Sequence, residues 1–290
     1  VYNDAEIQIL KAQILIEQGQ VKEGRRLAEN LLKQRDLTNE QRLRLNQILK
    51  LSLNNELGLT YQLFNFSEDY NRDSWHNYIL EYQQNIGKTV LVGRVTHSDR
   101  GFDSGQLYEI DFYPIVKENL YFFGNIGYSN DELFPEFRAS SSAFFSVFKA
   151  FELEAGARWM RLNDSDYFTG IGGITYYAGK FYFNLRSAVG PKRLNNTIEN
   201  HQLNIRYYYS GTDNFLFTRL SRGISPDEST LFAQVQDNPA LDAYFAGGGI
   251  NFLLGRHHIL RAEAGVLFEE ITANRNGTQA ILSAGYRYRF

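Results

Sequence analysis

The sequence predicts a membrane all-β fold: an antiparallel transmembrane β-barrel of about fourteen strands with a short α-helical segment in front. Three observations predict it. From residue 55 onward apolar residues recur with period two, in segments of roughly ten to fourteen residues, close to what a tilted membrane strand needs. The connections between these segments alternate long and short. The last segment, Thr278–Phe290, sets Ala280, Leu282, Ala284, Tyr286, Tyr288 and Phe290 on one face, sets Ser283, Arg287 and Arg289 on the other, and closes on an aromatic residue. A soluble β-sandwich also alternates, but it has no reason to sort its loops by parity.

Composition agrees. The 290 residues include 19 Tyr, 22 Phe and 24 Gly but only 5 Pro, which suits strands that meet a membrane interface and curve. The absence of Cys excludes a disulfide scaffold and a Cys metal site. A net charge of −3 gives no general pull towards nucleic acid. No run of 18 apolar residues exists, so no transmembrane helix is expected. A mean hydropathy of −0.39 fits a barrel, because half of each strand faces a wet lumen. Starting at Val1 without Met, the chain reads as a mature or truncated product.

Residues 1–54 are rich in Gln, Glu, Lys, Arg and Leu and nearly free of aromatics. Ile7, Leu10, Ile14 and Ile16 mark a first helix that stops at Gly19, and Leu27, Leu31 and Leu32 mark a second. Thr38 followed by Gln41 is a capping box that starts a third, with Leu43, Leu45, Ile48 and Leu49 on its apolar side. The placing of Ala12, Gly19, Gly24 and Ala28 resembles the helix pair of a tetratricopeptide repeat; a plain helical hairpin is the alternative. Two parts are therefore expected: a helical segment over 1–54 and a barrel over 55–290.

Within the barrel, Leu57, Leu59, Tyr61 and Leu63 share a face, as do Tyr108, Ile110 and Phe112, then Leu153, Ala155, Ala157 and Trp159, and the pattern persists to the end. Longer connections are expected at Ser67–Ser74, Ser98–Asp103, Asn130–Arg138, Pro191–Asn200, Gly223–Asp242 and Ile271–Gly277, with a modest one at Asn163–Asp166. Tight ones are expected between them, as at Ile86-Gly87-Lys88, Ala178-Gly179-Lys180 and Gly255-Arg256. With an even strand number, residues 1–54 fall on the short-turn side, which is the periplasmic side of such a barrel.

The run Gly127-Tyr128-Ser129-Asn130-Asp131-Glu132-Leu133-Phe134-Pro135-Glu136-Phe137-Arg138 resembles the signature of the YaiO family of outer-membrane barrels: a Gly-Tyr-Ser strand end, a loop with Leu-Phe-Pro, then Arg opening the next strand. The resemblance implies an outer-membrane address, tetratricopeptide-type helices before the barrel, and a distant likeness to barrels of exopolysaccharide export such as the poly-N-acetylglucosamine porin. It implies no catalytic residues. Physically, Pro135 breaks strand pairing, and Phe134 and Phe137 must fold back on the lumen wall or rest at the lipid interface.

The inward faces should carry Glu81, Arg94, Glu109, Asp111, Glu152, Glu154 and Arg158, then Arg186, Arg206, Arg219, Arg261, Glu263, Arg287 and Arg289. Acidic groups lead in the first half of the wall and Arg in the second. This is either a transverse field that orients a hydrated solute or a network of ion pairs that closes the lumen. Tyr61, Tyr82, Tyr128, Trp159, Tyr176, Tyr207, Tyr209, Tyr286 and Tyr288 suit an interfacial girdle. His76 and His97, with Ser74 and Ser98 near, would make a lipid-modifying site only if they met. His257 and His258 point to opposite faces and cannot chelate one metal. Gly170–Gly173 and Gly247–Gly249 lack the helix and Lys of a phosphate loop, and such glycines in a barrel permit close approach.

The reading is a non-enzymatic pore or accessory subunit for surface glycan export; the alternatives are a structural barrel with a plugged lumen inside a larger complex and, behind it, a lipid- or glycan-modifying barrel enzyme. No cofactor and no metal are expected. The partners expected are outer-membrane lipid, a surface glycan, a protein docking on residues 1–54, and the barrel-assembly machinery acting on the strand that ends at Phe290. A channel, unlike a plug, should change its selectivity when Arg206 or Arg261 is reversed in charge.

Overall fold

The computed structural model describes residues 4–34, 36–148, 150–162, 165–193, 196–223, 243–272 and 275–290. Three helices come first: α1 (Asp4–Glu17), α2 (Val21–Leu32) and α3 (Asn39–Leu51). Fourteen strands follow: β1 (Asn55–Phe66), β2 (Trp75–Ile86), β3 (Thr89–Asp99), β4 (Ser104–Lys117), β5 (Leu120–Tyr128), β6 (Phe137–Phe148), β7 (Phe151–Leu162), β8 (Ser165–Ala178), β9 (Phe181–Arg193), β10 (Asn196–Ser210), β11 (Asn214–Gly223), β12 (Ala243–Leu254), β13 (His258–Thr272) and β14 (Arg275–Arg289).

Every strand pairs antiparallel with its sequence neighbour, and β1 pairs with β14 from Glu56↔Arg289 to Phe66↔Gln279, so the sheet closes into a barrel without a free edge. Alternation then decides the two surfaces. On β4, Tyr108, Ile110 and Phe112 are exposed on the outside, while Leu107, Glu109 and Asp111 are buried towards the lumen. An apolar outside and a charged inside is the arrangement lipid and water demand together.

The helices enclose a small core of their own, built from Ile9, Ala12, Ala28, Leu31, Leu37, Leu45, Ile48 and Leu49. The capping box forms: Gln41 N–H donates to Thr38 Oγ1 at 3.2 Å, and Thr38 N–H donates back to Gln41 Oε1 at 3.0 Å. The apolar face of α1 differs from the expectation. Ile7, Leu10 and Ile14 are exposed, as is Leu43 on α3, and the packing runs instead through Ile9, Ala12 and Ile16. The reason is close approach, since a Cβ on Gly24 would lie 2.6 Å from Ile16 Cγ1 and 2.8 Å from the Ala12 carbonyl oxygen. Gly24→Leu is accordingly expected to cost the helical segment about 1–3 kcal/mol by overpacking. Circular dichroism should show lost helix while the heat-modified gel mobility of the barrel stays unchanged.

Connections at the short-turn end are tight, and Gly87 and Gly179 take φ of +59° there, a conformation that disfavours a Cβ. At the other end, 67–74 and 129–136 are true loops. Three expected loops are not. β7 and β8, β9 and β10, and β13 and β14 keep pairing up to residues 162 and 165, 193 and 196, and 272 and 275. The polar residues there continue the ladder past the apolar belt, so polarity alone did not signal a loop. The stretch 224–242, expected to be the longest loop, lies outside the described residues, as do 163, 164, 194, 195, 273 and 274 of the turns.

Candidate functional site: the barrel lumen

The lumen wall is set by side-chain parity, and all fourteen charged residues expected on it lie on inward positions of their strands. They group into three clusters. In the first, Arg94 on β3 bridges Glu81 at 2.7 Å, Glu109 at 3.3 Å and Asp111 at 2.9 Å, while Arg138 on β6 also donates to Glu109. Asn125 donates from β5 to both Glu109 and Asp111. Next to it, Arg186 donates to Glu154 at 2.9 Å and Ser142 Oγ to the same carboxylate at 2.8 Å. Arg158 lines the cavity between these groups. Tyr121 donates to Glu152 at 3.0 Å. The acidic lead of the first half-wall is thus largely neutralised where it stands.

The second cluster is on β11 and β13, where Arg219 and Arg261 share Glu263. Arg206 on β10 lies over Tyr182 and Phe215 and has no carboxylate partner among the described residues. The third is at the short-turn end, where Glu56 takes Arg287 at 3.3 Å and Arg289 at 2.6 Å, and Asp213 takes Arg289 at 3.1 Å. Among the described residues these groups line two lumen cavities. One of about 370 Å³ lies among Arg94, Arg138, Arg158, Arg186, Gln62 and Phe134; the other, of about 310 Å³, lies among Glu81, Arg219, Arg261, Glu263, Arg287 and Thr60.

Among the described residues the loop end is covered from two sides. In 129–136, Leu133 and Phe134 fold inward and pack on Leu107, and Phe134 and Pro135 line the larger cavity. Tyr128 stays outside on β5, and Phe137 rests against Trp159 on the lipid-facing surface with centroids 5.3 Å apart. Of the two aromatic fates open to this loop, Phe134 takes the lumen and Phe137 the interface. In 67–74, the 3₁₀ turn Glu68–Tyr70 dips into the mouth. There Tyr70 Oη donates to Glu269 Oε1 at 2.5 Å, and Gln279 Nε2 donates to both. Arg100 ties the loops together: it lies 4.4 Å over the Trp75 ring and donates to the Leu133 carbonyl at 3.4 Å. Burial, with Arg72 adding like charge, pushes the Arg100 guanidinium down to about 10. Sequence reasoning missed Tyr70, Arg100 and Glu269, because nothing in a polar loop says which wall it will fold against.

His76 and His97 do not pair with each other in a hydrolytic site. The serine–histidine contact that forms among the described residues lies elsewhere: His201 Nδ1 meets Ser187 Oγ at 2.9 Å and Glu199 Oε2 lies 3.8 Å from His201 Nε2, with the His201 and Glu199 side chains exposed. His76 Nδ1 pairs with Tyr61 Oη at 2.7 Å, and His97 stacks on Tyr78, all on the outward face. Ser98 is buried on the inward face and Ser74 donates to Asn65. His257 and His258 do not take opposite faces as expected: both rings lie against Tyr288, at 5.7 and 5.4 Å, because His257 sits in the turn before β13 and not in the strand. Their Nδ1 atoms meet the Arg289 carbonyl and Tyr286 Oη.

The geometry is that of a membrane barrel, and known folds agree. It is similar to the CymD monoaromatic hydrocarbon channel, at 9% identity, covering 84% of this chain and 91% of that one, with a TM-score of 0.54. It is also similar to a bacterial polysaccharide outer membrane secretin (6% identity, 81% and 98% covered, TM-score 0.50) and to the Acinetobacter baumannii outer membrane protein Omp33 (9%, 82% and 99%, 0.50). At such identities the likeness is one of fold. No curated protein matches the sequence. The family model of the YaiO membrane beta barrel domain matches residues 54–228, more than half of the chain. The chain belongs to that family of outer-membrane-type barrels.

Proposed function

We propose that this barrel is a non-enzymatic pore, or the pore subunit of an assembly, that passes a surface glycan across the outer membrane. The observation that carries the reading is a lumen that, among the described residues, holds polar, charged cavities and has folded loop residues, Leu133 and Phe134, packed at its loop end. A plug needs a packed lumen, whereas charged groups around open volume suit a hydrated solute. Barrels of this shape include a hydrocarbon channel and a polysaccharide secretin, so the lining must choose the solute. Here Arg, carboxylate, Asn and aromatic side chains alternate, as sugar hydroxyls and ring faces require.

In this reading residues 1–54 lie in the periplasm as a tetratricopeptide-like segment that holds a protein partner, because β1 starts at the short-turn end. The final strand, closing on Phe290, is the element the assembly machinery would engage, and the outward Tyr residues meet lipid. Planar bilayers test the pore. Wild-type protein is expected to give discrete conductance steps, and Leu133→Gly with Phe134→Gly to enlarge them. A silent bilayer from both proteins would leave the structural scaffold as the function.

A further inference from the structure

The two half-walls of the lumen treat their arginines differently, and the difference names a ligand. On the β3–β6 side the cations are enclosed by acid: the Arg94 and Arg138 side chains are 25% and 9% exposed, against carboxylates of Glu109 and Asp111 at 3% and 5%. On the β10–β13 side Arg206, Arg219 and Arg261 meet fewer carboxylates: among the described residues Glu263 pairs with Arg219 and Arg261, Glu81 lines the same cavity, and the Arg219 and Arg261 side chains are 31% and 41% exposed. Each of the three lies on an aromatic ring. Arg206 is 5.0 Å from Tyr182, Arg219 5.0 Å from Phe245 and Arg261 4.4 Å from Phe217.

Glycines let those rings lie against the wall. A Cβ on Gly249 would come within 2.7 Å of Phe217 Cζ, and one on Gly265 within 2.6 Å of Phe245 Cζ. Strand register places the cations on successive rows: Asn204–Arg219–Gly247, then Arg206–Phe217–Gly249–Glu263, then Phe215–Asn251–Arg261. Stacking occupies the flat face of a guanidinium and leaves its edge donors for an acceptor in the lumen, the fork that fits a carboxylate, sulfate or phosphate.

We infer that this arginine–aromatic ladder binds the acidic groups of an anionic glycan, guanidinium edges taking the charge and the neighbouring rings the sugar faces. The inference rests on the pore reading and narrows its solute to acidic sugars.

The test is calorimetric titration of the full chain in detergent with oligogalacturonate, an acidic probe, and with a maltooligosaccharide of equal length, a neutral one. Oligogalacturonate is expected to bind, to weaken as salt rises, and to bind at least about tenfold more tightly than the neutral oligomer. Arg206→Gln and Arg261→Gln are each expected to lower its affinity by about tenfold. Heat-modified gel mobility confirms the barrel form. Should a Gln variant not reach it, Arg206→Lys decides, since it keeps the charge, loses the planar edge, and should weaken binding without abolishing it. Equal binding of the two oligomers, no binding of either, or acidic binding untouched by the variants would each overturn the ladder. Those outcomes leave the pore itself to the bilayer measurement, which reads conductance without any sugar.

Discussion

Glu109→Ala is expected to destabilise the barrel by about 3–5 kcal/mol, the cost of removing one partner from a buried ion-pair group. Glu109 is 3% exposed and takes Arg94 at 3.3 Å, Asn125 at 3.1 Å and Arg138 as well. Alanine leaves two guanidiniums beside each other with one acceptor fewer, in a place water reaches poorly. Glu81→Ala is the comparison. Glu81 is 27% exposed and Arg94 keeps Asp111 at 2.9 Å, so its loss should cost about 1 kcal/mol or less. Urea unfolding in lipid vesicles, followed by the fluorescence of Trp75 and Trp159, separates the two. Equal midpoints for both variants would show that the cluster does not hold the wall.

The same cluster shows what a linear sequence can and cannot carry. That Glu109 and Asp111 point inward was legible, because Tyr108, Ile110 and Phe112 between them demand lipid. That they meet Arg94 and Arg138 was not, since those partners are set by strand register and stagger. The helices repeat the lesson. The capping box was readable as a local pair, Thr38 with Gln41. The buried face of α1 was not, because Gly24 on another helix draws Ala12 and Ile16 inward and leaves Leu10 outside. On β9 and β10 the polar run 191–200 read as loop, yet backbone pairing continues wherever two strands extend beyond the membrane together. The aromatic ladder left a trace in the sequence: Gly247, Gly249 and Gly265 take inward positions where Phe217 and Phe245 need floor space. Reading it required knowing which strands lie side by side.

The loop 67–74 should open about ten- to hundredfold more often in Tyr70→Phe, because one hydrogen bond to a carboxylate, worth about 1.5–3 kcal/mol, fastens it. The ring itself would stay seated. Gly277 makes room for it, since a Cβ there would fall 2.3 Å from Tyr70 Cε2, and Phe66 meets it edge-on at 5.1 Å. What phenylalanine removes is the donor that Glu269 receives at 2.5 Å. Burial first, and then the Glu269 hydrogen bond, hold the Tyr70 hydroxyl well above its ordinary value. A folded value raised above the unfolded one stabilises fully below the ordinary tyrosine pKa of about 10 and is lost as pH rises beyond it. Amide protection at 68–72, exchange taken relative to its intrinsic base-catalysed rate, should therefore stay high in wild-type protein up to that pH and fall above it, while Tyr70→Phe is weakly protected throughout. Protection that is the same in both proteins would sink the latch. If exchange rises in the variant and conductance steps lengthen with it, the loop is the gate and the lumen behind it is the path. If exchange rises and conductance does not change, the narrowing lies at Leu133 and Phe134, and loop 67–74 only trims the mouth.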